Sequence, residues 1–281
     1  MRQFRGDRYA RQAAIREIER ATNRQLLVYE ANYWSERSSI WQDDIAPFAD
    51  LLSRVDSGKA LDLLIHSGGG DIHSADKIAS MCRELGTEFR VIVPQYAKSA
   101  ATLIAIAADE IIMGIASELG PLDPQILSNG PGGTPFWTSA QSFLDEFDSI
   151  KDEVEKTKQL SPIYYPALDG VNLGYIRMCR NLKETSRVLA EKWLSKHMLK
   201  DNPSSAASLA SELCDAKKWL SHGHVISCDE ASHLGIKVVK LERDSALWQQ
   251  IWFLHCCYDV IFRTKSVTKV YESATVSLSF Q

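Results

Sequence analysis

The stretch LDLLIHSGGGDIHSADKIASMCREL, Leu61 to Leu85, decides the architecture. Its first six residues, Leu61 to His66, form a short apolar run of the kind shown by a strand buried on both faces. The run stops at Gly68, Gly69 and Gly70, which mark a tight turn. From Ala75 to Leu85 the apolar residues return at helical spacing. The same unit recurs on either side. EFRVIVP, Glu88 to Pro94, reads as a second buried strand closed by its proline, Ser99 to Ala108 as an Ala-rich helix, and Glu110 to Met113 as a further short strand. Upstream, Gln25 to Asn32 reads as a strand and Ile45 to Val55 has helical periodicity. This βαβαβ rhythm predicts an α/β protein with a mostly parallel sheet and covering helices.

Further out the pattern changes. SNGPGGTP, Ser128 to Pro135, is a loop by composition. Gln141 to Lys158 is an acidic amphipathic helix carrying Phe143, Phe147, Ile150 and Val154 at spacings of three and four. Pro162 and Pro166 interrupt the pattern, and a long helical stretch then runs to about Lys200, followed by a shorter one over Ala206 to Lys217. Cys228 to Leu234 reads as a short helix and Ile236 to Lys240 as a strand. Beyond Glu242 lie an apolar helix with Trp248, Trp252 and Phe253 and a Thr/Ser/Val tail. That helix suits either its own core or another subunit. The expected organisation is a basic N-terminal helical arm over 1–24, an enzymatic core over 25–240, and a C-terminal helix and tail over 241–281.

The 281 residues are 45% apolar and 24% charged, with 36 acidic and 32 basic side chains. That balance fits one large globular domain and excludes both a nucleic-acid binder working through bulk charge and an acidic disordered chain. The most apolar run, Ala100 to Ala108, is stopped by Asp109 and Glu110, well short of the ~20 residues a membrane span needs. The start, MRQFRGDRYARQ, has no apolar core of a secretory leader. Residues 1–20 carry six arginines against three acids, which suits a solvated helix or a peripheral contact with an anionic membrane surface. The cysteines, Cys82, Cys179, Cys214, Cys228, Cys256 and Cys257, form no C-x-x-C and no zinc spacing, so reduced thiols, a cytoplasmic location and no metal are expected.

Two βα turns carry the chemistry, HSGGGDIHS and PQYAKSAAT. In a parallel sheet both emerge at the carboxyl edge, which would bring the glycines close to Ser99. Glycines allow backbone amides to face a ligand at short range, and a serine at a helix start sits where a developing anion is favoured. A nucleophilic hydroxyl beside backbone donors is the equipment of acyl transfer. The alternative reading of Ser99 is a plain helix cap. The glycines are not a P-loop, since no G-K-[ST] follows, nor a dinucleotide fingerprint, since His73 occupies the third glycine position.

LDLLIHSGGGDIHSADKIA, VIVPQYAKSAATLIAIAADEIIMG, SELGPLDPQ and WLSHGHVISCDEASHLGIKV, in that order over roughly residues 58–240, resemble the serine dehydrogenase proteinase family, a branch of the Clp protease/crotonase superfamily. The resemblance implies a Clp/crotonase-like fold of repeated ββα units with a helical C-terminal extension. It also implies a serine endopeptidase that needs no metal or other cofactor, acts on polypeptide and assembles as a homo-oligomer. The family's Ser, Asp and His map onto Ser99, Asp123 and His222, and its oxyanion donors onto the amides of Gly69 or Gly70 and of Ala100. His66 and Lys98 are alternative bases; related signal peptide peptidases use a Ser–Lys dyad, though no lysine here clearly matches theirs. The chain departs from the family in Ser67–Gly68–Gly69–Gly70 for T-P-G-G, in Ala100 and Ala101 for the glycines after the serine, and in the segment after Gln125. A crotonase-like acyl-CoA enzyme, and an inactive assembly protein of the same fold, are the alternatives.

Overall fold

The computed structural model describes residues 7–56, 58–86, 88–129, 133–169, 171 and 173–281. Residues 1–6 of the expected basic arm and 130–132 of the expected loop lie outside the described residues. The chain runs through α1 (Arg8–Thr22), β1 (Gln25–Ala31), α2 (Ile45–Leu52), β2 (Leu61–His66), α3 (Ile72–Leu85), β3 (Phe89–Val93), β4 (Tyr96–Ala97), α4 (Ala100–Ile106), β5 (Glu110–Met113), β6 (Glu118–Leu119), β7 (Gln125–Asn129) and β8 (Pro135–Ser139). There follow α5 (Ala140–Thr157), α6 (Tyr165–Leu168), α7 (Leu173–Lys196), α8 (Pro203–Leu213), α9 (Ala216–Trp219), β9 (Ile226–Ser227), α10 (Cys228–His233), β10 (Val238–Lys240), α11 (Ala246–Thr264), β11 (Lys269–Glu272) and β12 (Ser277–Phe280).

The central sheet has the order β10-β5-β3-β2-β1-β11-β12. Its first five strands are parallel, whereas β11 runs antiparallel to both β1 and β12. The period-2 alternation of side chains explains the continuous apolar runs. Leu27 and Tyr29 of β1, Leu63 and Ile65 of β2, and Val91 and Val93 of β3 face one core, with α2, α3, α4, α7 and α8. Leu26, Val28, Leu64, Ile92 and Ile112 face the other, under α1 and α11. Both faces are covered, so polar positions would gain nothing in the middle of these strands.

The N-terminal helix belongs to this second layer. Asp7 caps it by accepting from the Ala10 amide at 2.9 Å, and Ile15 and Ile18 are wholly buried. Arg11 donates to the buried Glu272 at 2.6 Å, Arg8 and Arg16 donate to the carbonyls of Thr275 and Ala274, and Arg20 pairs with Glu17. The described arginines of the arm are thus engaged by the chain itself, chiefly by its C-terminal hairpin.

Segment 241–281 is structurally continuous with the core. Trp248, Ile251, Leu254 and Tyr258 of α11 are buried against the sheet, and the ring of Trp248 lies so close to Gly114 that a Cβ there would stand 2.5 Å from it. The Thr/Ser/Val tail forms β11 and β12 and extends the sheet beyond β1. Burial of this kind contributes about 1.5–3 kcal/mol for each large apolar side chain. The expected loop at 128–135 is flanked by paired strands, since β7 and β8 form an antiparallel hairpin. Five of the six cysteines are buried and Cys256 is partly so. No helix among the described residues is long and apolar enough to cross a membrane.

Candidate active site

Three two-residue strands, β4, β6 and β9, form a small second sheet in the order β4-β6-β9. Ala97 pairs with Leu119, and Leu119 with Ile226. Ser99 follows the first of these strands by two residues, Asp123 follows the second by four, and His222 precedes the third by four. An isolated bridge joins Ser67 to Ala97, with the Ser67 amide donating to the Tyr96 carbonyl at 3.1 Å and the Lys98 amide to the Ser67 carbonyl at 3.0 Å. The glycine turn is thereby tied to the same frame. Residues as far apart in sequence as Gly68 and His222 line one cavity of about 640 Å³, together with Ser99, Ala100, Leu122, Trp41 and Trp137.

His222, on the wall of this cavity, has its Nδ1 2.6 Å from Asp123 Oδ1. Asp123 is 2% exposed, and its other oxygen accepts from Gln125 Nε2 at 2.8 Å. A buried carboxylate that accepts from one ring nitrogen holds the imidazole in the tautomer whose Nε2 is an acceptor. Ser99 precedes α4 with φ 49° and ψ −122°, and its hydroxyl makes no capping hydrogen bond to that helix. The plain-cap reading is therefore not what the geometry shows. A non-glycine residue with this backbone costs of order 1–3 kcal/mol and persists only where its surroundings hold it. Gly69 is part of that hold. With φ 99°, its missing Cβ would stand 2.7 Å from both the Lys98 carbonyl oxygen and the Ser99 Cβ.

The two candidate glycine donors are not equivalent. The Gly69 amide donates to Ser67 Oγ at 3.1 Å, and Gly69 is buried, whereas Gly70 is exposed. Gly70 packs its backbone on Ile40 so tightly that a Cβ would lie 2.2 Å from the Ile40 carbonyl oxygen. Ala100, the first residue of α4, follows Ser99 directly.

The alternative bases are placed elsewhere. Lys98 Nζ lies 2.9 Å from Glu118 Oε1 and donates to the carbonyls of Leu119 at 3.2 Å and His224 at 3.0 Å. Its three N–H groups are spent on the frame, and its stem packs over Gly120, where a Cβ would meet it at 2.6 Å. His66 is turned away toward Glu30, whose Oε2 lies 3.0 Å from its Nδ1. Burial pushes the thiols of Cys82 and Cys214 up to about 12, with the Asp123 carboxylate adding to the effect at Cys214, so neither offers a thiolate nucleophile. Thr102 braces the turn. Its hydroxyl lies 2.7 Å from the Ala97 carbonyl and 2.9 Å from that of Gly120, and accepts from the Gly120 amide at 3.1 Å.

Residues 51–139 match the family described as ClpP-like SDH-type serine proteinase, a span that holds the glycine turn, Ser99 and Asp123. Two uncharacterized proteins of Methanocaldococcus jannaschii are similar in sequence. One is 33% identical over 182 residues, covering 64% of this chain, and the other is 38% identical over 93 residues, covering 33%. The matches span 54% and 30% of those proteins' own lengths. Among solved structures, a membrane-bound stomatin-specific protease aligns with a TM-score of 0.42 at 13% identity, covering 75% of this chain and 79% of its own. ClpP1 from Listeria monocytogenes aligns with a TM-score of 0.39 at 11% identity, covering 79% and 95%. The mostly parallel sheet, the ordered motifs and the family match agree, and over residues 51–139 the chain is similar to the ClpP-like SDH-type serine proteinases.

Proposed function

We propose that this chain is a serine endopeptidase in which Ser99 is the nucleophile, His222 the general base, Asp123 the residue that orients it, and the amides of Gly70 and Ala100 the oxyanion donors. The carrying observation is that His222, which lines the same cavity as Ser99, lies 2.6 Å from the buried Asp123. Ser99 Oγ attacks the carbonyl carbon of the scissile peptide while His222 Nε2 takes its proton. The negative charge on the former carbonyl oxygen is met by the two backbone amides. The imidazolium, steadied by Asp123, returns the proton to the leaving amine, and water repeats the cycle on the acyl-enzyme. Enolate chemistry on a thioester would use the amides but has no need of a hydroxyl held at φ 49° or of an Asp–His pair.

Exposed Trp41 and Trp137 at the cavity suit apolar side chains of an unfolded polypeptide. An unguarded peptidase would endanger a cytoplasm, so a cytoplasmic homo-oligomer that encloses this cavity is part of the reading. The apolar face of α11 is already used on its own sheet, so other surfaces must build the assembly. Light scattering of the purified chain tests it.

Reaction of the full chain with a fluorophosphonate probe tests the chemistry. Mass spectrometry is expected to place the adduct on Ser99, with labelling lost in Ser99→Ala and at least a hundredfold slower in His222→Ala. Absence of an adduct in the folded wild-type chain would overturn the proposal.

A further inference from the structure

On the far side of His222 lies a second cavity, of about 570 Å³, whose wall includes His66, Gly68, Gln95, His222 and His255. Two of these residues belong to a cluster that the proposed peptidase does not use. Glu30 is the penultimate residue of β1 and is wholly buried, His66 ends β2 and is 7% exposed, and His255 lies in the middle of α11 and is 5% exposed. Both imidazoles turn the same nitrogen toward the same carboxylate. His66 Nδ1 lies 3.0 Å from Glu30 Oε2, and His255 Nδ1 lies 2.9 Å and 3.2 Å from Oε1 and Oε2. One donor atom from each of the three residues falls within 4.8 Å of the others.

From these contacts we infer that Glu30, His66 and His255 form a site for a divalent first-row transition metal such as zinc. Two imidazoles and one carboxylate are a recurrent ligand set for that class, leaving a further position for water. The observed 2.9–3.2 Å separations approach the edge of a tetrahedron around zinc, about 3.3 Å for ligand bonds of ~2.0 Å. His255 already has the outer partner a ligating imidazole needs. Its Nε2 faces Gln95 Oε1 at 3.2 Å, and a proton held there toward the amide oxygen would leave Nδ1 to ligate on the carboxylate side. With Nδ1 deprotonated, the 2.9 Å and 3.2 Å separations from the Glu30 oxygens are short enough for one metal ion to take the place of the ring proton. On the opposite ring, His66 Nε2 is buried with no hydrogen-bond partner. The orientation of His66 is thus set from its Nδ1 side, where the metal would sit. The cavity lined by both histidines gives an entry path and room for the water ligand.

A metal held here would tie β1, β2 and α11 together beside the cavity that His222 also lines. The test needs no peptidase activity, so its failure and that of the catalytic reading are separable. The full chain, stripped with chelator, is titrated with zinc alone against a chromophoric chelator and followed by thermal melting. The expected result is one zinc per chain, a raised melting temperature, and a loss of affinity of at least a hundredfold in both Glu30→Gln and His255→Gln. A cobalt(II) spectrum of the wild-type chain supplies a readout that depends on no variant folding. Intense four-coordinate visible bands support the site, and a pale six-coordinate spectrum speaks against it. Absence of stoichiometric zinc uptake, or uptake that both folded variants retain, would overturn the inference.

Discussion

Replacing Lys98 by methionine separates two mechanisms that the sequence leaves side by side. The change keeps the unbranched stem that packs over Gly120 and removes only the ammonium. Three acceptors then lose a donor, namely the Glu118 carboxylate and the carbonyls of Leu119 and His224. Left buried, each would cost about 1–3 kcal/mol, but the Glu118 side chain is 25% exposed and water can reach it. The net destabilisation is therefore about 2–6 kcal/mol, carried mainly by the two carbonyls. The His224 carbonyl lies two residues from the candidate base, so the loop carrying His222 loosens and the base is less well placed. A misplacement of this kind costs about tenfold to a hundredfold in rate. The assay is the rate of fluorophosphonate labelling at Ser99, paired with urea denaturation of the same preparation. If Lys98 is a brace, Lys98→Met labels slowly but measurably and is less stable, while His222→Ala labels far more slowly than Lys98→Met. The opposite order, with Lys98→Met folded yet inert and His222→Ala nearly normal, would make Lys98 the base and refute the assignment.

Asp123→Asn should slow labelling by about 10³-fold or more, because an amide nitrogen facing His222 Nδ1 favours the tautomer whose Nε2 carries the proton; a loss under tenfold, read by the same probe, would remove Asp123 from the site. Gly69→Ala should destabilise the chain by more than 2 kcal/mol in urea and abolish labelling, since the new methyl meets the Lys98 carbonyl and the Ser99 side chain at 2.7 Å in a backbone conformation with φ 99°. His197, stacked on Trp193, is lowered to about 4 by burial, with Arg83 adding to the effect. The unfolded chain therefore takes up a proton near pH 6.5 that the folded chain refuses until about pH 4, and stability falls as pH drops through that window. Allowing for solvent screening, the loss is about 1–2 kcal/mol. In His197→Gln the difference between denaturation midpoints at pH 7 and pH 4.5 should shrink accordingly, and an unchanged difference would show that His197 does not contribute.

How far the sequence could be read depended on what each element has to bury. β2, β3 and β5 are legible because a strand covered on both faces must be apolar throughout, and LDLLIH and FRVIV leave little else to be. The nucleophile and its glycines are legible for the same reason, since they sit where those runs stop. β4, β6 and β9 are two residues long, too short for any period to show, yet they bring the turns of Ser99, Asp123 and His222 into one frame. Resemblance could name Asp123 and His222, but no local pattern could join residues 99 positions apart. The tail carried a weak signal. Lys269 to Phe280 alternates about a short polar turn, and its partner strand β1 lies more than 200 residues away. Glu30, His66 and His255 show the limit most plainly. Two of them lie near the carboxyl ends of neighbouring parallel strands in register, Glu30 opposite His66, while the third arrives 225 residues later on a helix that also seals the second core. Ligand spacing reads metal sites only where one turn or one helix supplies several donors. Here the register of β1 against β2 supplies two of them, and register is fixed by which side chains must face the core rather than by any local motif.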